Sequence, residues 1–250
     1  MYQEYLPDAC LSHLIEVYWV ADGRVEHPVQ QRILPDGCVD IVFDFGYKNT
    51  SGKLQTGLPK LVGTMTSLIE FTYHPGQIQM MGIRFAPGGI TAFTTIPIFE
   101  ITNQDIDLPL SETLFDNSFY EQLPDMDCMQ KRITYINQYF LKHLHKLYIP
   151  DKQIKHAVSL IQNSYGQLSV KRLAEESCLG ERHFERRFKT AIGVSPKTFS
   201  NVIRFQSTLR YLETHPQESL FSASIACGYH DLSHMNKEFR RLGNISPSEL

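Results

Sequence analysis

The order of apolar and polar positions divides this 250-residue chain into two parts with different periods. Up to about residue 85 the apolar residues come in short β-branched and aromatic runs, Ile15 to Val20, Val39 to Phe45 and Gln77 to Phe85. Turn formers lie between or beside them at Asp22-Gly23, Pro35-Asp36-Gly37, Ser51-Gly52 and Pro75-Gly76. Within the second run Ile41, Phe43 and Phe45 alternate with Asp40, Val42 and Asp44, the period of a strand with one face in a core and the other polar. The spacing predicts an antiparallel β-barrel or double-sheet roll. From Gly88 the period becomes helical: a short helix over Pro97 to Asp105, a second starting at Ser111, Glu112 or Asp116 and reaching Leu123, and a third opened by Pro124-Asp125. On the third, Met129, Ile133, Ile136, Phe140, Leu144 and Leu147 fall three and four apart, a stripe that either packs on the sheet or joins two subunits in a homodimer. Pro150-Asp151 ends it and begins a helix over Lys152 to Asn163.

The strongest pattern lies beyond Leu168, where the chain repeats itself. Phe184 and Phe188 recur as Met235 and Phe239, Lys189 as Arg240, and Ser195-Pro196 as Ser246-Pro247, all 51 positions later. Upstream, Leu173-Ala174 pairs with Ile225-Ala226 at 52, which makes the second copy one residue shorter between its helices. A repeat with helical spacing on both sides of a short turn is a duplicated helix-turn-helix, expected over about 169–190 and 220–242 with a connecting helix over about 196–213. Gly180 and Asp231 stand where the second helix of each copy needs an N-cap, Asp231 being the better one. The outward faces then carry Glu181, Arg182, Glu185, Arg186 and Lys189 in the first copy, and Leu232, Ser233, Asn236, Lys237, Arg240 and Arg241 in the second. A charged helix face is usually only a solvated face. Two in register, each on a turn motif and each basic, point instead to base-edge readers in a major groove of double-stranded DNA.

Charge distribution supports this. Residues 151–250 hold 14 Lys+Arg against 10 Asp+Glu, whereas residues 1–150 hold 10 against 17, so only the C-terminal part has the sign that phosphates attract. The five cysteines are odd in number, scattered and without a C-x-x-C pair, which fits reduced thiols in a cytoplasm. No signal-peptide pattern and no membrane-length apolar run is present, so a soluble cytoplasmic protein is expected, bound to no membrane.

The C-terminal eighty residues resemble the AraC/XylS family of bacterial transcription regulators. The resemblance rests on Leu173-Ala174, His183-Phe184 through Phe188-Lys189, and Gly193-Val194-Ser195-Pro196. In the second copy it rests on Ile225-Ala226, and on Cys227 to His234 through Phe239-Arg240-Arg241. It implies two motifs joined by one long helix, with both second helices entering DNA. The chain departs from the family pattern at Asn244, where a Gly is usual, and at Leu250, beyond which an aromatic residue and a basic tail would follow. The N-terminal part resembles, more loosely, a sensor-like domain preceding such modules, in Leu34 to Asp40 and Gly82 to Gly89. That likeness implies a barrel related to an arabinose-binding domain and names no ligand.

The division that follows is residues 1–147 for sensing or dimerisation, with a helical appendage, and 148–250 for DNA. The overall class is α+β with an all-α second domain. Candidate effector residues in the first part are Trp19, Asp40 and Arg84, set against the plainer readings of a core tryptophan and a structural ion pair. His27 and His74 are isolated, so neither a metal nor another cofactor is expected. A DNA-repair methyltransferase needs a four-cysteine zinc cluster, and this part offers only Cys10, Cys38 and Cys128, so the expectation is a non-enzymatic regulator. The remaining rival is a regulator whose barrel only dimerises.

Overall fold

The computed structural model describes residues 2–48, 54–55, 58–108 and 117–249. One antiparallel sheet carries the N-terminal part, in the order β1 (Tyr2–Tyr5), β2 (Ile15–Val25), β9 (Gly76–Phe85), β4 (Val39–Asp44), β7 (Lys60–Val62) and β10 (Asp105–Asp107). Two short ladders flank it, β3 (Val29–Ile33) with β8 (Ile69–Tyr73), and β5 (Tyr47–Lys48) with β6 (Leu54–Gln55). The sheet is open at β1 and β10, and no closed barrel is found among the described residues, so the roll of separate sheets is the form realised. Alternation works as expected on β4: Val39, Ile41 and Phe43 are buried, while Asp40 and Val42 are half-buried and Asp44 is exposed.

Two helices cover the buried face, α1 (Asn117–Asp125) and α2 (Met129–Lys142). The expected starts of α1 at Ser111, Glu112 or Asp116 lie outside the described residues. The segment Pro97 to Asp105 forms a single 3-10 turn, Ile98–Ile101, and then enters β10 rather than continuing as a helix. The apolar stripe is used internally. Met129, Ile133, Ile136 and Phe140 are buried with Phe43, Phe85 and Phe93 in the core of this same chain. Helix α2 ends at Lys142, so Leu144 falls on a 3-10 turn and is exposed, and Leu147 packs beside the core. Dimerisation through this stripe would pull its apolar side chains out of their own core, so the stripe as folded is no subunit surface.

Beyond it six helices follow: α3 (Lys152–Asn163), α4 (Val170–Glu176), α5 (Glu181–Ile192), α6 (Pro196–Thr214), α7 (Leu220–Ala226) and α8 (Leu232–Gly243). Short polar side chains start five of them by accepting from backbone N–H groups of the first turn: Asp151, Ser169, Ser195, Ser219 and Asp231. Their apolar faces build two separate cores. Phe184, Phe188, Phe199 and Ile203 centre the first with α3 and α4, and Val202, Phe205, Met235 and Phe239 centre the second. Helix α6 is the one element that contributes to both.

The caps also correct the register of the repeat. Ser169 and Ser219 cap α4 and α7, and the left-handed residues after them are Cys178 (φ 54°) and Gly228 (φ 76°), each pair 50 positions apart. The buried pair Leu173-Ala174 therefore corresponds to the buried pair Ala223-Ser224, while Ile225 is exposed and Ala226 ends the helix. The second copy is one residue longer in its turn, the opposite of the expected indel, with His230 as the extra residue before Asp231.

Candidate nucleic-acid interface

Helices α5 and α8 hold the same position in the two repeats, each buried by two large side chains one turn apart, Phe184 with Phe188 and Met235 with Phe239. Sequence alternation at period 3.6 then turns the remaining positions outward. On α5, Glu181, Arg182, Glu185, Arg186 and Lys189 are all exposed. On α8, Ser233, Lys237, Arg240 and Arg241 are exposed, and Leu232 and Asn236 are half-buried. The structure brings each set onto one helix face, with no carboxylate within ion-pair distance of Arg182, Arg186, Lys189, Lys237 or Arg240 among the described residues. Arg186 reaches only the His183 ring, at 3.1 Å. Lys189 sits at the inner end of its face, its ammonium 5.6 Å from the ring centre of Phe99, which belongs to the N-terminal domain.

The two helices begin differently. Gly180 gives α5 no side-chain cap, whereas Asp231 accepts from His234 N at 2.7 Å, a bond that holds its carboxyl below the usual carboxylate range. Two positioning interactions were not singled out from sequence. Arg187, next to the outward Arg186, turns inward and forms a fork with Asp151 (Nε–Oδ2 2.8 Å, Nη2–Oδ1 2.7 Å), fixing α5 to the start of α3. Glu238 on α8 is buried and accepts from both Nε and Nη2 of Arg204 on α6, at 3.1 and 2.7 Å, while the guanidinium lies 4.7 Å from the Tyr229 ring centre. Their signal was positional: each stands beside an apolar anchor, Phe188 or Phe239, on the side that faces a neighbouring helix.

The three candidate effector residues do meet, on the sheet face away from the core. Trp19 donates from Nε1 to Asp40 Oδ2 at 2.9 Å, and Arg84 lies 3.4 Å from both Asp40 and Asp36. The indole covers Gly82, where a Cβ would fall 2.0 Å from Trp19 Cε2, so only glycine admits this ring. Burial pushes the Asp40 carboxyl up to about 6, and Arg84 pulls the other way through contacts too long to cancel it. Trp19, Asp40 and Arg84 thus satisfy one another. A cleft of about 650 Å³ lies elsewhere, between the N-terminal segment, the turn after β9 and helix α3. Ile15, Ala86, Pro87, Ile154 and Val158 line its apolar part, and His13, Glu16 and Lys155 are among its polar members. Cys10 and Cys128 are exposed and Cys38 is buried, and no group of His, Cys, Asp and Glu among the described residues is placed to hold a metal ion.

Two helix-turn-helix units on one connecting helix, each presenting a polar and basic second helix, define a two-headed helix-turn-helix module. Residues 173–250 match the family described as a helix-turn-helix domain, and residues 3–107 match a domain of unknown function, DUF6597. The chain is 32% identical over 78 residues to the HTH-type transcriptional activator RhaS of Escherichia coli O139:H28, covering 31% of this chain and 28% of that one. It is 26% identical over 100 residues to the HTH-type transcriptional regulator MtrA of Neisseria gonorrhoeae, covering 40% and 33%. A crystal structure of ToxT from Vibrio cholerae aligns with 93% of this chain and 97% of that one at 10% identity and a TM-score of 0.48. Residues 173–250 thus match a helix-turn-helix domain, and the same part of the chain is similar to HTH-type transcription regulators. The chain spans about a third of the length of the curated relatives it matches. No helix among the described residues is long and apolar enough to cross a membrane.

Proposed function

We propose that the protein is a sequence-specific transcription regulator that binds double-stranded DNA through α5 and α8, acting in the bacterial cytoplasm. The observation that carries this is the matched pair of outward faces on two helices packed along α6, on which Arg182, Arg186, Lys237 and Arg240 are exposed and meet no carboxylate among the described residues. Nineteen residues of helix give α6 a length of about 28 Å at 1.5 Å each, and a turn of duplex is about 34 Å, so one face of the DNA can offer both helices a major groove. Arg182 and Arg186 have the reach for guanine O6 and N7, Asn236 for adenine, and Lys237, Arg240 and Arg241 for phosphates. Its action is binding, with no bond made or broken. Selection of duplexes from a random pool, followed by footprinting, tests this: two protected patches about one helical turn apart are expected. Capture of no duplex, or of all duplexes equally at moderate salt, overturns it.

Control by a small-molecule effector is favoured by the cleft, which is walled by the N-terminal domain on one side and by α3 on the other. A compound bridging these walls would fix how the first motif sits on the sheet. The expected result of a ligand-screening melt is a compound that raises the melting temperature of the native chain and not that of Ser159→Trp, whose ring would occupy the cleft. If no compound separates the two proteins, the N-terminal domain works without a ligand there.

A further inference from the structure

The last carbonyls of an α-helix have no partner within the helix. Here the N-terminal domain supplies donors to those of both recognition helices. At the end of α5, the buried Thr64 hydroxyl donates to Ile192 O at 2.5 Å, and the Thr102 hydroxyl donates to Gly193 O at 2.7 Å. Gly193 is left-handed (φ 94°), and a Cβ there would fall 3.0 Å from Thr102 Oγ1 and 3.1 Å from Thr64 Oγ1, so the residue closing α5 also has to be glycine for the hydroxyls to approach. At the end of α8, Leu68 N–H donates to Leu242 O at 2.7 Å.

Thr64 and Leu68 belong to one loop, residues 63–68, between β7 and β8. The turn at 101–104 holds this loop in place. Gly63 N donates to Gln104 O at 2.9 Å, Asn103 N to Thr64 O at 3.1 Å, and Thr66 N to Asn103 Oδ1 at 2.8 Å. The same domain grips α6 as well: Gln206 Nε2 donates to Pro35 O at 2.7 Å, and Gly37 lies against the Phe199 ring. Apart from this domain, the two helix-turn-helix cores share α6, and the side chain of Gln167, just ahead of the first motif, lies against Gly228 in the turn of the second.

We propose that loop 63–68, together with Thr102, is a brace that sets the separation of the two recognition helices, so that half-site spacing on DNA is specified by the N-terminal domain. This rests on the DNA-reading function proposed above. One added base pair between half-sites moves the second by about 3.4 Å and turns it by about 34°. A module hinged on α6 alone can follow that displacement by bending. A braced one must break the hydrogen bonds at the ends of α5 and α8, and so rejects the wrong spacing.

The test uses the full chain and duplexes selected by it from a random pool, rebuilt with one base pair added or removed between the two protected patches. For the native chain the altered spacers are expected to bind about tenfold more weakly, and for Thr64→Val with Thr102→Val less than about threefold. Both proteins should bind a duplex carrying one patch alone equally, and Thr64→Ser with Thr102→Ser, which restores the hydroxyls, should recover the sharp profile. Superimposable spacer profiles for the native and valine proteins overturn the brace, as does an equal loss on the single patch. If the double variant does not fold, Thr102→Val is read alone, since its half-buried position tolerates the exchange. Failure of the native chain to select any duplex strikes the DNA-reading function itself and is thereby distinguished from failure of the brace.

Discussion

Asp40 shows how two forces on one carboxyl decide a measurable pH dependence. Burial raises its value to about 6 against the pull of Arg84 and the bond from Trp19. An aspartate whose folded value lies above its unfolded one, near 3.9, is favoured by folding in its protonated form. Its contribution is therefore full below about pH 4 and is lost as pH rises through about 6. Asp40→Asn keeps an acceptor for Trp19 and removes the titration, so the urea midpoint of the native chain should fall relative to the variant between pH 4 and 6.5. A difference that stays flat across that window contradicts the assignment. At the interface, Arg186 and Lys237 occupy corresponding outward positions with different chemistry. Arg186→Ala should cost about 1 to 3 kcal/mol on the specific site and relax one base position, while Lys237→Ala should weaken all sequences alike and lower the salt slope by about one. Binding profiles over a randomised operator check both, and the reverse pattern would exchange the roles of α5 and α8. These outward residues were legible from spacing alone. The inward partners Arg187 and Glu238 were not, because a charge beside an apolar anchor reads the same whether it meets water or a buried counter-charge.

Helices proved more legible than strands, for a physical reason. The C-terminal helices announce themselves by a cap such as Ser195 before Pro196, by a stripe at 3.6 such as that of α5, or by both, and these signals are local. Strands β2, β4 and β9 have a buried face and are legible as β-branched and aromatic runs, β4 by its alternation as well, whereas β1 and β3 are mostly exposed and carry no apolar rhythm to read. The misaligned pair Ile225-Ala226 came from trusting hydrophobicity over punctuation: the serine caps fix the register, and the inward pair Ala223-Ser224 looks too small and polar to be core. Between elements, the Arg204–Glu238 bond joins α6 to α8 with both side chains nearly sealed from water, at 6% and 4% exposure. Glu238→Ala would leave a buried guanidinium without its partner, costing about 3 to 5 kcal/mol. Chemical denaturation should show that loss, with near-recovery when Arg204→Met is added. An unchanged midpoint in Glu238→Ala would mean that water reaches the guanidinium.

Across the whole molecule, opposite charge excesses sit on domains that touch. The acidic N-terminal part abuts the inner ends of both recognition helices, through Thr64, Thr102 and Leu68. A fragment of residues 151–250 keeps both helix-turn-helix cores apart from Leu34, and should bind non-specific DNA more tightly than the whole chain at low salt. That gap should close as salt rises and the Debye length falls to about 8 Å near physiological strength. Equal binding at every salt concentration would place the acidic surface out of range of the duplex. The hydrogen bonds at the helix ends carry a further consequence, for recombination. A chimera that joins this helix-turn-helix part to a foreign N-terminal domain near residues 147–151 would receive every residue proposed to read bases, yet would leave the carbonyls of Ile192, Gly193 and Leu242 facing donors that nothing guarantees. The transferable unit is therefore the recognition helices together with the loop and turn that hold their ends, although nearly half the chain lies between them in sequence.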